Sequence, residues 1–260
     1  MIRRTAADSP HTGQWILISQ VEHARLSGVL AEAWGHRPFA SLDPRDEIVA
    51  AVRHHDDGWS AWEVAPKVDP QSGTPLDFTE MPLADSLAIW RESIAVAEKI
   101  GPLAAYMVSG HFSALLRRFS SRWHSDPAAA ALARGFLDQQ TERQAHWLDL
   151  RFAGRASDAR RADADRAVAW LQMFDALSLW FCCAARSERE IADPPGGPKL
   201  TLQPAKDVYH ITVSPWPFVE PRVELTAVGR AIAMAHYASP SDLATAAAQP
   251  VTLRWELAPA

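Results

Sequence analysis

Apolar and polar positions follow a helical period from about residue 19 to residue 186, and a strand-like alternation follows. The first part predicts six helices with clear boundary signals. One starts at Ser19, with Glu22 three positions on as a capping box, and ends at Gly35. The second has Asp43 as its cap, Pro44 in its first position and Gly58 as its stop. The third runs from about Pro82 to Ile100, closed by Gly101, and the fourth from Pro102 to about Phe119. Asp126-Pro127 opens a fifth that continues towards Phe152, and the sixth spans roughly Asp163 to Arg186.

The segment Asp193-Pro-Pro-Gly-Gly-Pro198 breaks this pattern. β-Branched, alternating stretches follow at Val208–Val213, Val219–Val228 and Val251–Leu257, and Pro215, Pro217 and Pro221 predict short edge strands there. Trp15–Ile18 also reads as a strand that can join them in one small sheet. The expected fold is therefore mainly α. A helical domain covers residues 1–192 and a small β appendage covers 193–260, with strand 14–18 available to it. The connection Trp59–Met81 has no consistent period, yet it carries Trp59, Trp62, Val64, Val68, Leu76 and Phe78. It is too apolar for disorder and is read as an ordered flap packed over something.

Composition narrows the function classes. The chain has 26 Lys+Arg against 31 Asp+Glu, a net charge of −5, and no basic block, which argues against nucleic-acid binding. No apolar run approaches the length of a membrane span, and no apolar run follows Arg3 and Arg4 as in a signal peptide. No membrane association and a cytoplasmic location are expected. The two cysteines, Cys182 and Cys183, are adjacent, which excludes a disulfide framework and a thiolate zinc finger and leaves them as helix packing. Ten histidines turn attention to imidazole chemistry. A Gly-rich phosphate loop, a nucleophile elbow and a His-Glu-x-x-His helix are all missing.

The strongest local signal is His54-His55-Asp56-Asp57-Gly58-Trp59 at the end of the second helix. His55 shares the apolar face of Ile48, Ala51 and Val52, and Asp56 lies beside Val49 and Val52. A buried His next to a buried carboxylate is costly unless both share a partner, and a metal ion is one. His23 falls in line with Leu26 and Leu30, His111 with Ala104, Met107 and Leu115, and Asp175 with Val168, Leu171, Ser178 and Cys182. Taken singly, His23 or His111 reads as a core histidine bonded to a carbonyl. Taken together, His23, His55, Asp56, His111 and Asp175 on separate inner helix faces point to a metal site.

This order resembles the HD-domain superfamily, in which a His, a His-Asp doublet and a distant Asp each occupy their own helix of an all-α bundle. His23 matches the first His, His55-Asp56 the doublet and Asp175 the last Asp, over roughly residues 19–186. The chain departs at Trp59, where many hydrolase members carry Lys, and in its β appendage. The whole chain also resembles an uncharacterised bacterial family, domain of unknown function 3891, through His55-Asp-Asp-Gly-Trp59, Ser109-Gly-His111 and Trp216-Pro-Phe218.

The HD resemblance implies a divalent ion (Mn²⁺, Fe²⁺ or Zn²⁺, one or two ions) held by His23, His55, Asp56 and Asp175. It implies a hydrolase acting on a phosphate ester or nucleotide-like small molecule. His111 would ligate a second ion or serve as general acid, and Asp56 would take part in the chemistry. Two other readings stand beside it: a di-iron oxygenase of a small organic substrate, and a non-catalytic metal- or metabolite-binding protein. His146 and His54 are undecided neighbours of the site. Trp59 and Trp62 are candidates for a substrate wall and Lys67 for a phosphate contact, although a solvated Lys67 is the plainer reading. Arg143 is a partner for Asp175 or an anion clamp. Trp90, Trp147, Trp170 and Trp180 are expected in the core. His11, His36, His124, His210 and His236 receive no role. Oligomeric state is left open.

Overall fold

The computed structural model describes residues 1–6, 12–123, 125–155, 157–183, 187–191, 194–207 and 209–260. The predicted positions His11, His124, Arg186, Asp193 and Val208, and the domain boundary expected at 192/193, lie outside them. The chain opens with two strands, β1 (Ile2–Thr5) and β2 (Gln14–Ile18), and continues into helices α1 (Gln20–Ala33) and α2 (Arg45–His54). A 3₁₀ turn at Asp57–Trp59 leads to the short α3 (Ser60–Val64), and a second 3₁₀ turn at Phe78–Glu80 leads to α4 (Leu83–Ile100). Then come α5 (Pro102–Arg118), α6 (Pro127–Phe152) and α7 (Asp158–Cys182). Strands β3 (Arg189–Ile191), β4 (Leu200–Pro204), β5 (His210–Ser214) and β6 (Val223–Ala233), the short α8 (Pro240–Thr245) and β7 (Gln249–Pro259) complete it.

The six long helices stand close to where the sequence places them, but the second begins at Arg45 after Pro44, with no cap from Asp43, and ends at His54 before Gly58. Side-chain caps fix the starts of others. Ser19 Oγ accepts the Glu22 amide at 3.0 Å, and Asp126 accepts the amides of Ala128 and Ala129. The last helix begins earlier than expected, because Ser157 caps it. The capping box at Ser19 is only half made. Glu22 instead accepts the Val228 amide at 2.7 Å, which fastens α1 to β6.

The expected small β appendage is overturned. The structure has one seven-stranded mixed sheet, curled into a half-barrel, in the order β1-β2-β6-β7-β5-β4-β3. All neighbours are antiparallel except β5 and β7. The sheet thus draws β1, β2 and β3 from before the expected boundary. Nor are the strands around the prolines short edges. β6 and β7 are central strands of 11 residues each, and Pro215, Pro217 and Pro221 fall in the connection before them. β1 escaped the pattern because Ile-Arg-Arg-Thr is too short and polar to alternate visibly.

The sheet serves as a platform for the helices. Alternate residues Val251, Leu253, Trp255 and Leu257 of β7, with Leu225 and Ala227 of β6, are buried in the main core, as expected for a sheet wet on one face. The opposite face of β2, with Trp15 and Leu17, forms a second cluster with Ile232, Tyr237 and Leu243 of α8, and Trp62 and Val68 of the flap pack on it. α1 and α7 lie between the sheet and the other helices; Phe181 of α7 meets Trp255 at 5.4 Å between ring centroids. α5 runs through the middle, against α2, α4, α6 and α7, which is why it is apolar nearly all round. No helix among the described residues is long and apolar enough to cross a membrane.

Trp34 knots these parts together. It is fully buried, and its ring meets Phe39, Trp170, Phe174 and Phe218 at 4.9, 5.4, 5.5 and 5.9 Å. Its Nε1 donates to the Ala40 carbonyl, and Gly35 and His36 donate to the Pro217 carbonyl behind it. Trp34→Ala should cost about 3–5 kcal/mol of unfolding free energy with an unchanged urea m value, checked by equilibrium denaturation.

Candidate metal centre

Two close approaches aim the site. α1 crosses α2 so tightly that a Cβ on Gly28 would stand 2.7 Å from Arg53 Cβ, so only glycine lets these helices meet. α2 then ends at His54, and Asp56 has φ −111° and ψ 16°, in the sparsely populated bridge region. Gly58 follows because a Cβ there would lie 2.3 Å from the Ile89 carbonyl and 2.4 Å from the Ser93 amide. The Gly58 amide donates to Ser93 Oγ at 3.1 Å. The turn after the doublet is thus pressed onto the backbone of α4, which sets where His55 and Asp56 point.

Five residues meet there: His23 from α1, His55 and Asp56 from the end of α2, His111 from α5 and Asp175 from α7. All five are buried. His23 Nε2 lies 3.3 Å from both Asp56 Oδ2 and Asp175 Oδ1. His55 Nε2 lies 3.6 Å from Asp56 Oδ2 and 3.3 Å from Asp175 Oδ1. The ring centroids of His23 and His55 are 5.2 Å apart, and those of His55 and His111 5.4 Å, both edge to face. His23, His55 and Asp56 can offer ligand atoms that all lie within 4.8 Å of one another, and so can His55, His111 and Asp175.

The outer nitrogens define the tautomers. His55 Nδ1 donates to the Val52 carbonyl at 2.7 Å, which leaves a lone pair on Nε2. His23 Nδ1 lies 2.6 Å from Ser178 Oγ, whose own hydroxyl donates to the Asp175 carbonyl at 3.0 Å. Ser178 therefore accepts from His23, and His23 Nε2 also keeps its lone pair. Ser27 completes the network, 2.7 Å from Ser178 Oγ. Ligating histidines are oriented in this way by a partner on the other nitrogen.

The donor set fits a divalent cation. His23 Nε2, His55 Nε2 and His111 Nδ1 are buried and have no hydrogen-bond partner. Such orphans are rare in a folded interior and need an explanation. Two ligands each about 2.1 Å from a tetrahedral ion lie about 3.4 Å apart, close to the separations around Asp56 and Asp175. Imidazole with carboxylate suits Mn²⁺, Fe²⁺ or Zn²⁺, and no thiolate takes part: burial pushes the neighbouring Cys183 thiol up to about 11.

Without a metal, protons answer the two carboxylates. Burial works against a charge on His23, yet its contacts to Asp175 and Asp56 prevail and raise it to about 9. Burial likewise opposes a charged His55, and Asp56 overcomes it. Asp56 and Asp175 are held below the ordinary carboxylate value: burial opposes this, and the surrounding imidazoles outweigh it. His111 goes the other way, to about 4, driven mainly by burial.

Four of the five, His23, Asp56, His111 and Asp175, form the floor of a cavity of about 460 Å³, and His55, fully buried, is not part of its lining. The cavity lining also carries Trp59, Trp90, Phe112, Phe119, Trp123 and Trp180, together with Arg118, Arg122 and Arg189. The flap does pack over something, as expected: Phe78, Thr79 and Met81 line the cavity. Arg3 of β1 holds the flap through Thr74, the Pro75 carbonyl and Glu80.

The outer candidates divide. Trp59 is buried in the wall. Trp62 instead meets Trp59 edge to face at 5.5 Å and packs between clusters, away from the cavity lining. Lys67 pairs with Asp85 at 2.6 Å on the surface. Arg143 pairs with Glu98 at 2.7 Å and lies over Trp147, not beside Asp175. His54 turns outward to Asp57, and His146 is exposed on α6. Of the tryptophans expected in the core, Trp147 and Trp170 are buried, but Trp90 and Trp180 are half-buried and face the cavity. Sequence reasoning missed Ser178, Ser93 and the three arginines. Ser178 had a signal, being polar on the apolar stripe of Asp175; the arginines had none, since Arg118 and Arg122 end a helix where basic residues are common.

A family model described as protein of unknown function (DUF3891) matches residues 1–234. No curated protein and no solved structure matches the chain.

The His23 shift sets a pH window. Its folded value, about 9, stands above the ordinary 6.5, so its stabilisation is complete below pH 6.5 and is lost as pH rises through 9. Chelator-treated protein should show a falling melting temperature between pH 6.5 and 9, checked by thermal scans. Divalent metal added at pH 7.5 should release protons, read as a dependence of calorimetric heat on buffer ionisation.

Proposed function

The chain belongs to the DUF3891 family, and we propose that it is a metal-dependent hydrolase of HD type acting on a phosphate ester or nucleotide-like small molecule. One observation carries this reading: three buried imidazole nitrogens that make no hydrogen bond gather around two carboxylates, and four of these five residues line a cavity. The likeness to HD proteins in the order His23, His55-Asp56, Asp175 supports it. His23, His55, Asp56 and Asp175 would hold the ion. When bound, a divalent cation supplies Lewis acidity and lowers the pKa of water.

The chain's own groups divide the remaining work. Val52 and Ser178 orient the two imidazoles. His111 is neutral at pH 7, so it suits ligation better than proton donation. Asp56 and Asp175 stay ionised and supply the negative charge that selects a cation. The cavity with its aromatic wall is sized for a small molecule.

A second reading, a di-iron oxygenase, is favoured by a different observation. The groups His23–His55–Asp56 and His55–His111–Asp175 overlap only at His55, and the wall is chiefly aromatic. Two Fe per chain with oxygen uptake would select it, and metal binding without turnover of any phosphate ester or oxidation would select a binding protein.

Asp56→Ala should remove bound metal and lower phosphodiesterase activity on bis(p-nitrophenyl) phosphate at least about 100-fold, with far-UV circular dichroism unchanged. Elemental analysis decides it: full metal content in this variant sinks the assignment. Ser178→Ala should keep the metal but weaken it about 10–100-fold in chelator competition, because His23 loses its orienting partner.

A further inference from the structure

The cavity is polarised in a way the metal centre does not require. Among the described residues that line it, Asp56 and Asp175 are the only carboxylates, and both belong to the floor. The cavity's other charged lining residues are arginines. Arg118 and Arg122 flank the Phe119 ring, with guanidinium carbons 5.9 and 4.8 Å from its centroid. Arg189 lines the same space. None of the three has a carboxylate partner among the described residues, and Arg122 donates to the Thr79 carbonyl at 3.4 Å.

Exposed arginines at a rim are commonly just solvated. Two buried donors of residues on the same lining tip the balance: Arg189 Nε and Trp123 Nε1 have no hydrogen-bond partner. Buried N–H groups left without acceptors are costly, and an incoming acceptor would relieve both. The spacing is legible on α5. His111 and Arg118 are seven residues apart, hence on one face and about 10 Å apart along the axis. Between the two ends lie Trp90, Phe112 and Trp180.

We propose that the cavity takes an elongated amphipathic oxyanion. Its flat apolar body lies along the aromatic wall, and Arg118, Arg122 and Arg189 hold a carboxylate or phosphate at the end remote from the His–Asp centre. The assignment of the other end as the reacting end rests on the metal-centre reading; the anion subsite itself does not. Guanidinium forks recognise planar or tetrahedral oxyanions bidentately, and aromatic faces accept flat rings.

Titrations followed by tryptophan fluorescence test this, with 2-naphthoate, 2-naphthyl phosphate and the neutral 2-naphthylmethanol as probes and metal content measured on the same samples. At least one anion should bind the native protein tenfold or more tighter than the alcohol. The double variant Arg118→Met/Arg122→Met, and separately Arg189→Met, should lose at least tenfold for that anion, keep the affinity for the alcohol and keep the metal. The tighter anion identifies the head group. Equal binding of anions and alcohol by the native protein, or an anion preference that survives in the double variant, overturns the proposal. If Arg189→Met does not fold, the double variant at exposed positions carries the test. Selective anion binding by a protein that takes no metal would sink the hydrolase reading and keep this one; metal without anion preference would do the reverse.

Discussion

Two carboxylates, Asp56 and Asp175, are buried together, and a folded interior tolerates them only with positive charge between them. That constraint organises the centre of the molecule. Three histidines on three further helical positions surround the pair, and their outer nitrogens are committed to Val52 and Ser178 where the chain supplies partners. The inner nitrogens are left bare. A proton can answer the charge, as the raised His23 shows, and a divalent cation can answer it too, because imidazole and carboxylate atoms close enough to share one are present.

The rest of the fold holds that centre rigid. α5 carries His111 through the middle of four other helices, α1, which carries His23, lies on β6, and the C-terminal end of α7, which carries Asp175, meets the sheet at Trp255. Glu22 to the Val228 amide and Phe181 against Trp255 fasten both helices to the strands. The His55-Asp56 turn has no such platform. It is held by contact with the α4 backbone at Gly58, so the residue without a side chain is what positions the two beside it. A site built on regular elements in this way keeps its geometry better than one on loops.

The flap gives the centre its enclosure. Its apolar residues split between two jobs, some closing the cavity and others covering the outer face of β2. Trp59 and Trp62, three residues apart, illustrate the split: one faces the cavity and the other the second cluster. The wall that results is aromatic and the rim basic, while the floor is acidic and imidazole-rich.

By itself the sequence determined the local features. Helix positions followed from apolar spacing and from caps such as Ser19 and Asp126, whose energetics involve neighbours in the chain. The five central residues were also legible, because a polar group on an apolar helix face is visible wherever the period is clear. What only the tertiary structure decided depends on partners far apart in the chain. Strand pairing joined Gln14–Ile18 to Val223–Ala233 and made a seven-stranded sheet out of what read as an appendage. Arg143 and Lys67 found Glu98 and Asp85, and Arg118 and Arg189 came to line one cavity. An imidazole announces its burial through the residues three and four places away; a surface cation has no such local record, since the carboxylate that claims it, or the lack of one, is set by packing alone.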